Sequence, residues 1–135
     1  MSYSYPEDFD DLYLTVADID DFRKLSTAQQ TGFCINVLEM EVNNGGFHQF
    51  FCNSVGYYTP EVLEALGRIG AHKTHSLLSQ AIAIAYPTGF PTDRSQHEAL
   101  LDIEDETVDA LAPLDDAFYA YEDNLTDLVN TYLAG

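Results

Sequence analysis

The sequence predicts an all-α fold, a single compact helical domain of about six to eight helices. Three observations carry that prediction. Apolar residues recur at helical steps of three and four along most of the chain, with no stretch of strand alternation. Recognisable helix starts and stops punctuate it. Of its 135 residues 46% are hydrophobic, including 8 Phe and 9 Tyr, which suffices for one well-filled core.

After Pro6, the residues Phe9, Leu12, Tyr13 and Val16 fall at i, i+3, i+4, i+7, one face of a first helix. Glu7, Asp8, Asp10 and Asp11 occupy its first turns, where the helix dipole favours carboxylates. Ser26 or Thr27 can cap a second helix over residues 28–42. That helix is apolar on most sides (Phe33, Cys34, Ile35, Val37, Leu38, Met40, Val42), which predicts a central position. Asn43-Asn44-Gly45-Gly46 ends it, and Phe47, Phe50 and Phe51 turn the aromatic face of a short helix inward.

Thr59-Pro60-Glu61 is the next start, with a capping hydroxyl, a proline at the first position and then an acid. Val62, Leu63, Leu66 and Ile69 form its buried stripe, and Gly70 breaks it. A helix over residues 71–86 follows, built on Leu77, Leu78, Ala81, Ile82 and Ala85 and stopped by Pro87. Residues 87–93 read as a loop. Helical spacing resumes with Leu100, Ile103, Val108 and Leu111, and Pro113 is expected to interrupt it. Leu114, Phe118, Tyr121, Leu125, Leu128 and Tyr132 then recur at steps of 4, 3, 4, 3, 4, the stripe of one last helix.

Charge is the other dominant feature. The formal net charge is −18, and it is unevenly placed. Residues 1–25 hold seven acids against two bases, residues 26–92 four against two, and residues 93–135 twelve against one. Such a chain repels nucleic acid and anionic membranes, so direct nucleic-acid binding is not expected and basic proteins or cations are its natural partners. No apolar run is long enough to span a membrane. The N-terminal residues lack the basic and apolar regions of a signal peptide, so a cytoplasmic location is the expectation. Cys34 and Cys52 sit beside large apolar residues without CxxC spacing and are expected to be buried free thiols.

The run Glu41-Val42-Asn43-Asn44-Gly45-Gly46-Phe47-His48-Gln49-Phe50-Phe51-Cys52-Asn53-Ser54-Val55-Gly56 concentrates fixed Gly, Asn and aromatic positions. It resembles the signature E-x-x-N-G-G-F-x-Q-[FY]-[FY]-x-N-S-x-G of a helical bacterial family named after a neisserial DNA-mimic protein. Ala65-Leu66, Ile69-Gly70-Ala71 and Leu114-Asp115-Asp116-Ala117-Phe118-Tyr119 extend the resemblance. The resemblance implies an all-helical fold, homodimerisation, no known catalytic activity and, for the characterised member, binding to a DNA-binding transcription factor in place of DNA. The structural signature residues are Glu41, Asn44, Gly45, Gly46, Phe47, Gln49, Phe50, Phe51, Asn53 and Gly56. Asn44 and Gln49 are expected to satisfy backbone groups freed where the two helices meet.

Mimicry itself has to rest on surface carboxylates. The candidate partner-binding set is Glu7, Asp8, Asp10, Asp11, Asp18, Asp20, Asp21, Asp102, Glu104, Asp105, Glu106, Asp109, Asp115, Asp116, Asp123 and Asp127. One helix face carrying Asp116, Asp123 and Asp127 holds three charges in roughly 16 Å, several-fold sparser than duplex DNA at one charge per 1.7 Å. Several faces must therefore combine. The expected partner is a basic DNA-binding protein such as a transcription regulator. The competing readings are an acidic binding or immunity-type protein without mimicry, a generic acidic surface suited to high salt, and an enzyme using Glu41 as base with His48 as its partner. His72 and His75, with Glu64 upstream, are too few for a metal site. Asp93 and His97 form an i,i+4 ion pair on this reading. No cofactor or metal is expected.

Overall fold

The computed structural model describes residues 3–135, which form seven α-helices and no strand. The helices are α1 (Ile19–Lys24), α2 (Thr27–Cys52), α3 (Thr59–Arg68), α4 (His72–Ala85), α5 (His97–Leu100), α6 (Asp105–Tyr119) and α7 (Leu125–Leu133). Short 3₁₀ turns cover Leu12–Leu14, Ser54–Tyr58 and Arg94–Gln96.

α2 is the hub. Ser26 starts it with a capping box: its hydroxyl accepts from Gln29 N (3.1 Å) and the Gln29 side chain accepts from Ser26 N (3.0 Å). Every residue from Thr31 to Leu38 is buried, as the all-round apolar pattern predicts. α3, α6, α7 and the Ser54–Tyr58 turn pack around α2, while α4 bridges α3 and α6. Phe22, Phe33 and Tyr58 form one buried aromatic cluster, and Phe47 meets Phe118 edge-on at 5.8 Å. Each fully buried ring contributes about 1.5–3 kcal/mol.

The Asn-Asn-Gly-Gly stop is a kink. Gly45 (φ −160°, ψ 19°) and Gly46 (φ 81°, ψ −178°) leave helical geometry, and the chain resumes as helix to Cys52 in a new direction. α3 ends in a Schellman motif, in which Ala71 N donates to Leu66 O (2.9 Å) and Gly70 (φ 78°) takes the left-handed position.

Several expectations need correction. Residues 5–11 form turns rather than a helix. Ser4 N donates to the Asp8 carboxylate (2.6 Å), and the backbone closes i→i+3 bonds such as Phe9 N to Pro6 O (2.9 Å). Short acidic side chains beside their own backbone compete with helix in this way. Phe9 is nonetheless buried, against Gly32 of α2. α1 was not foreseen, although Asp18 caps it by accepting from Asp21 N (2.9 Å). Thr59 is not a cap, because its hydroxyl donates backwards to Gly56 O (2.6 Å) and Tyr58 is the N-cap. Pro113 lies inside α6 at an exposed position, where water can satisfy the carbonyl that it frees.

Leu100 and Ile103 are exposed, and Leu101 is the buried residue of that stretch. The last predicted helix is two: Tyr121 (φ 49°) and the polar Glu122-Asp123-Asn124 turn separate α6 from α7, and Asn124 caps α7 by accepting from Asp127 N (3.1 Å). The heptad-like spacing persists because both helices bury the same side. Cys34 is buried and Cys52 is exposed, both free. Cys52 ends α2 on its outer side, a position the neighbouring Phe51 does not reveal.

Candidate acidic interface

The carboxylates divide by what they touch. Asp8 and Asp18 hold local backbone amides, and Asp21 Oδ2 accepts from Ala17 N (2.9 Å). Asp10 accepts from the Asn36 side chain (3.2 Å), and Asp102 from Glu104 N (2.9 Å). Asp123 takes both the Thr74 N–H (2.7 Å) and its hydroxyl (3.0 Å) at the first turn of α4. Asp115 accepts from Phe47 N (2.8 Å), the first amide after the α2 kink. Both are helix N-terminal anchors supplied from far along the chain. Burial raises the Asp115 pKa above the ordinary carboxylate value, and the Phe47 hydrogen bond opposes the shift.

Glu7, Asp11, Asp20, Glu104, Asp105, Glu106, Asp109, Asp116 and Asp127 are exposed, and their carboxylates make no hydrogen bond or ion pair among the described residues. Four of them converge. At 100° per residue, Asp105, Glu106, Asp109 and Asp116 fall within about 100° of the α6 circumference. They run along roughly 16 Å at unequal steps of one, three and seven residues, intervals averaging about 5.5 Å against about 3.4 Å per charge on a single strand of B-DNA. The opposite side of α6 buries Thr107, Leu111 and Phe118. Asp116, Asp123 and Asp127 do not share a helix face, since they lie on α6, in the turn and on α7.

No basic side chain forms an ion pair with that face among the described residues. Lys73 pairs with Glu122 (2.8 Å) in the open, raising the lysine pKa, and Arg94 pairs with Glu61. His97 and Glu98 approach to 3.9 Å. Asp93 and His97 do not pair. Asp93 Oδ1 accepts from Ser95 N (3.1 Å) and its hydroxyl (2.6 Å), and His97 is buried against the Phe51 carbonyl.

The signature residues hold the kink. A Cβ on Gly45 would sit 2.0 Å from Gln49 Oε1, and one on Gly46 2.4 Å from Asp115 Oδ2. A Cβ on Gly56 would sit 2.7 Å from the Phe51 carbonyl oxygen and 2.8 Å from that of Phe50. Glu41 accepts from the side chains of Gln49 (3.1 Å) and Asn53 (2.6 Å). The expectation that Asn44 and Gln49 satisfy freed backbone is thus corrected: Gln49 serves Glu41, Asn44 is exposed, and Asp115 supplies the backbone acceptor. Asp115 is 68 residues from Phe47, so no local pattern could reveal it. His48 keeps Nε2 buried without a partner among the described residues.

Among the concavities of the described surface, three are lined in part by candidate carboxylates. A groove of about 500 Å³ lies between residues 13–19 and the Ser54–Tyr58 turn, with Ser95, His97 and Glu98 on its wall. A hollow of about 280 Å³ includes Tyr5, Asp10, Asn36 and Glu39, where Tyr5 and Tyr121 both donate to Glu39. Burial and Glu39 push the Tyr5 hydroxyl pKa up strongly; Tyr121 is pushed up to about 12, chiefly by burial. A smaller hollow of about 70 Å³ lies beside Asp123. Glu41 and His48 line none of these. Among the described residues, no group of three or more His, Cys, Asp or Glu side chains is placed to hold a metal ion.

Residues 23–135 match the family described as DMP19-like protein. No curated protein and no solved structure matches the chain.

Proposed function

The chain belongs to the DMP19-like protein family, and on that premise we propose that it is an acidic DNA-mimic-like protein that occupies the DNA-binding surface of a basic partner, such as a transcription regulator. The observation that carries this reading is the outer face of α6, where Asp105, Glu106, Asp109 and Asp116 stand exposed and unpaired along roughly 16 Å of one helix side. Carboxylates that cap helices or bind core side chains are spoken for; these four have no such duty. Glu104 at the start of α6, and Glu7, Asp11, Asp20 and Asp127 elsewhere, extend the exposed charge.

The protein acts by binding, without catalysis or cofactor and without touching nucleic acid. The family resemblance supports a homodimer. A cytoplasmic location suits a partner that binds DNA. The enzyme reading has less support, because the Glu41 carboxylate is held by the side-chain amides of Gln49 and Asn53.

The test is capture from native lysate at low salt, comparing wild type with the variant Asp105→Asn, Glu106→Gln, Asp109→Asn, Asp116→Asn. The wild type should recover a basic DNA-binding protein that duplex DNA displaces. The variant should bind it at least about tenfold more weakly, taking a few tenths of a kcal/mol per exposed charge. Recovery of no basic protein, or equal recovery by the variant, refutes the reading.

A further inference from the structure

The groove of about 500 Å³ has a chemistry that the face of α6 does not account for. Its volume is that of a site for a small ligand or a single anchoring side chain. Tyr13, Tyr57 and Tyr58 contribute aromatic wall, Asp18 and Glu98 contribute carboxylates, and no lysine or arginine lines it among the described residues.

His97 adds a specific demand. Its Nδ1 lies 3.1 Å from the Phe51 carbonyl oxygen, which can only accept, so Nδ1 carries the proton. In the neutral ring Nε2 is then a bare acceptor. It faces Glu98 Oε1 at 3.9 Å, and the carboxylate is an acceptor too. The two acceptors stand close enough that two N–H groups of one guanidinium can reach both at about 2.8 Å. The same wall already shows what such a cation contacts. The Arg94 guanidinium lies over the Tyr57 ring, 5.5 Å from its centroid, and is neutralised by Glu61.

We propose that this groove receives an arginine side chain of the basic partner, its guanidinium bridging Glu98 and His97 and its stem lying against the tyrosines. The proposal rests on the functional reading above for the partner and adds the anchor that fixes its register. A charged face steers an encounter, whereas a buried arginine in an aromatic pocket holds it.

The experiment is an NMR titration of the full chain with N-acetyl-arginine methylamide and, as the neutral control, N-acetyl-norleucine methylamide. The arginine probe should shift signals of residues 54–58 and 95–98, and the norleucine probe should not. Glu98→Gln and Tyr13→Ala, both at exposed positions, should weaken the arginine probe three- to tenfold with the spectrum otherwise intact. Equal response to norleucine, shifts confined to α6, or no loss in Glu98→Gln would overturn the proposal. So would ring ¹⁵N shifts showing His97 doubly protonated in the free protein at neutral pH, since the gap would then already hold its donor. The variant neutralised on α6 should still bind the arginine probe. If the wild type captures no basic protein, or the α6 variant captures it equally, while the arginine probe still binds, the functional reading alone fails; capture that depends on α6 with no response to the arginine probe fails the groove alone.

Discussion

Asp115 shows how much one carboxylate can do inside this protein. It ties α6 to the first free amide after the α2 kink. Replacing it with alanine should cost about 0.5–2 kcal/mol by chemical denaturation, the usual range for a lost N-terminal cap. Asparagine keeps an acceptor oxygen and should cost less at neutral pH. The two proteins should also differ with pH. The folded-state pKa of Asp115 is raised, mainly by burial, so the folded state holds its proton more tightly than the unfolded chain does. Its contribution is then greatest below the ordinary value of 3.8 and declines as pH rises through the folded value. Wild type should lose stability relative to Asp115→Asn across that window and run parallel above it. A constant difference from pH 3 to 7 would show that Asp115 titrates normally.

At the scale of elements, the kink in α2 and the end of α3 make an instructive pair. Gly46 and Gly70 both hold a positive φ, 81° and 78°, but the ψ of −178° at Gly46 lies in a region essentially closed to residues with a side chain. A methyl group at Gly46 would meet Asp115, whereas at Gly70 it meets nothing within 4 Å. Gly70→Ala should cost the conformational penalty alone, about 1–2 kcal/mol, and Gly46→Ala clearly more. Equal losses in matched denaturation curves would mean that the kink region yields to the methyl group. Element existence was readable where a signal is local: the cap at Ser26, one of the two candidates, the all-round apolar run of α2, the Gly70 stop and the Pro87 end all appear as expected. What was not readable depends on distant partners. Phe9, Leu12 and Val16 have helical spacing, yet Asp8 and the i→i+3 turns decide their backbone. The step pattern from Leu114 to Tyr132 could not show a break, because α6 and α7 keep one apolar side across it. For the interface, the acidic composition was legible. The assignment of Asp115 and Asp123 to capping was not, because Phe47 and Thr74 lie far from them in sequence.

The whole molecule carries −18 with only five Lys and Arg to offset it, and two of those five are in ion pairs with glutamates. Self-repulsion of this kind weakens the compact state and is relieved by salt. Raising ionic strength from about 10 mM to 150 mM shortens the Debye length from roughly 30 Å to 8 Å. The thermal midpoint should rise over that range and flatten beyond it. A midpoint that stays constant would mean that the exposed acids are spaced widely enough not to strain the fold. A midpoint that keeps climbing into molar salt would favour the reading of an acidic surface suited to high salt.

Asp115 and Asp116 are neighbours of identical chemistry, yet one turns inward to the α2 kink and the other outward to solvent. Losing either changes the net charge by one unit. The first loss is felt in the stability of the fold, the second, on the proposed function, in how strongly the protein holds a basic surface. Binding strength can therefore drift across generations by exchanges at the outward position without touching the architecture. Two relatives with equal total charge can differ in partner, while two with unequal charge can share one. The heritable information lies in which side of α6 each acid occupies.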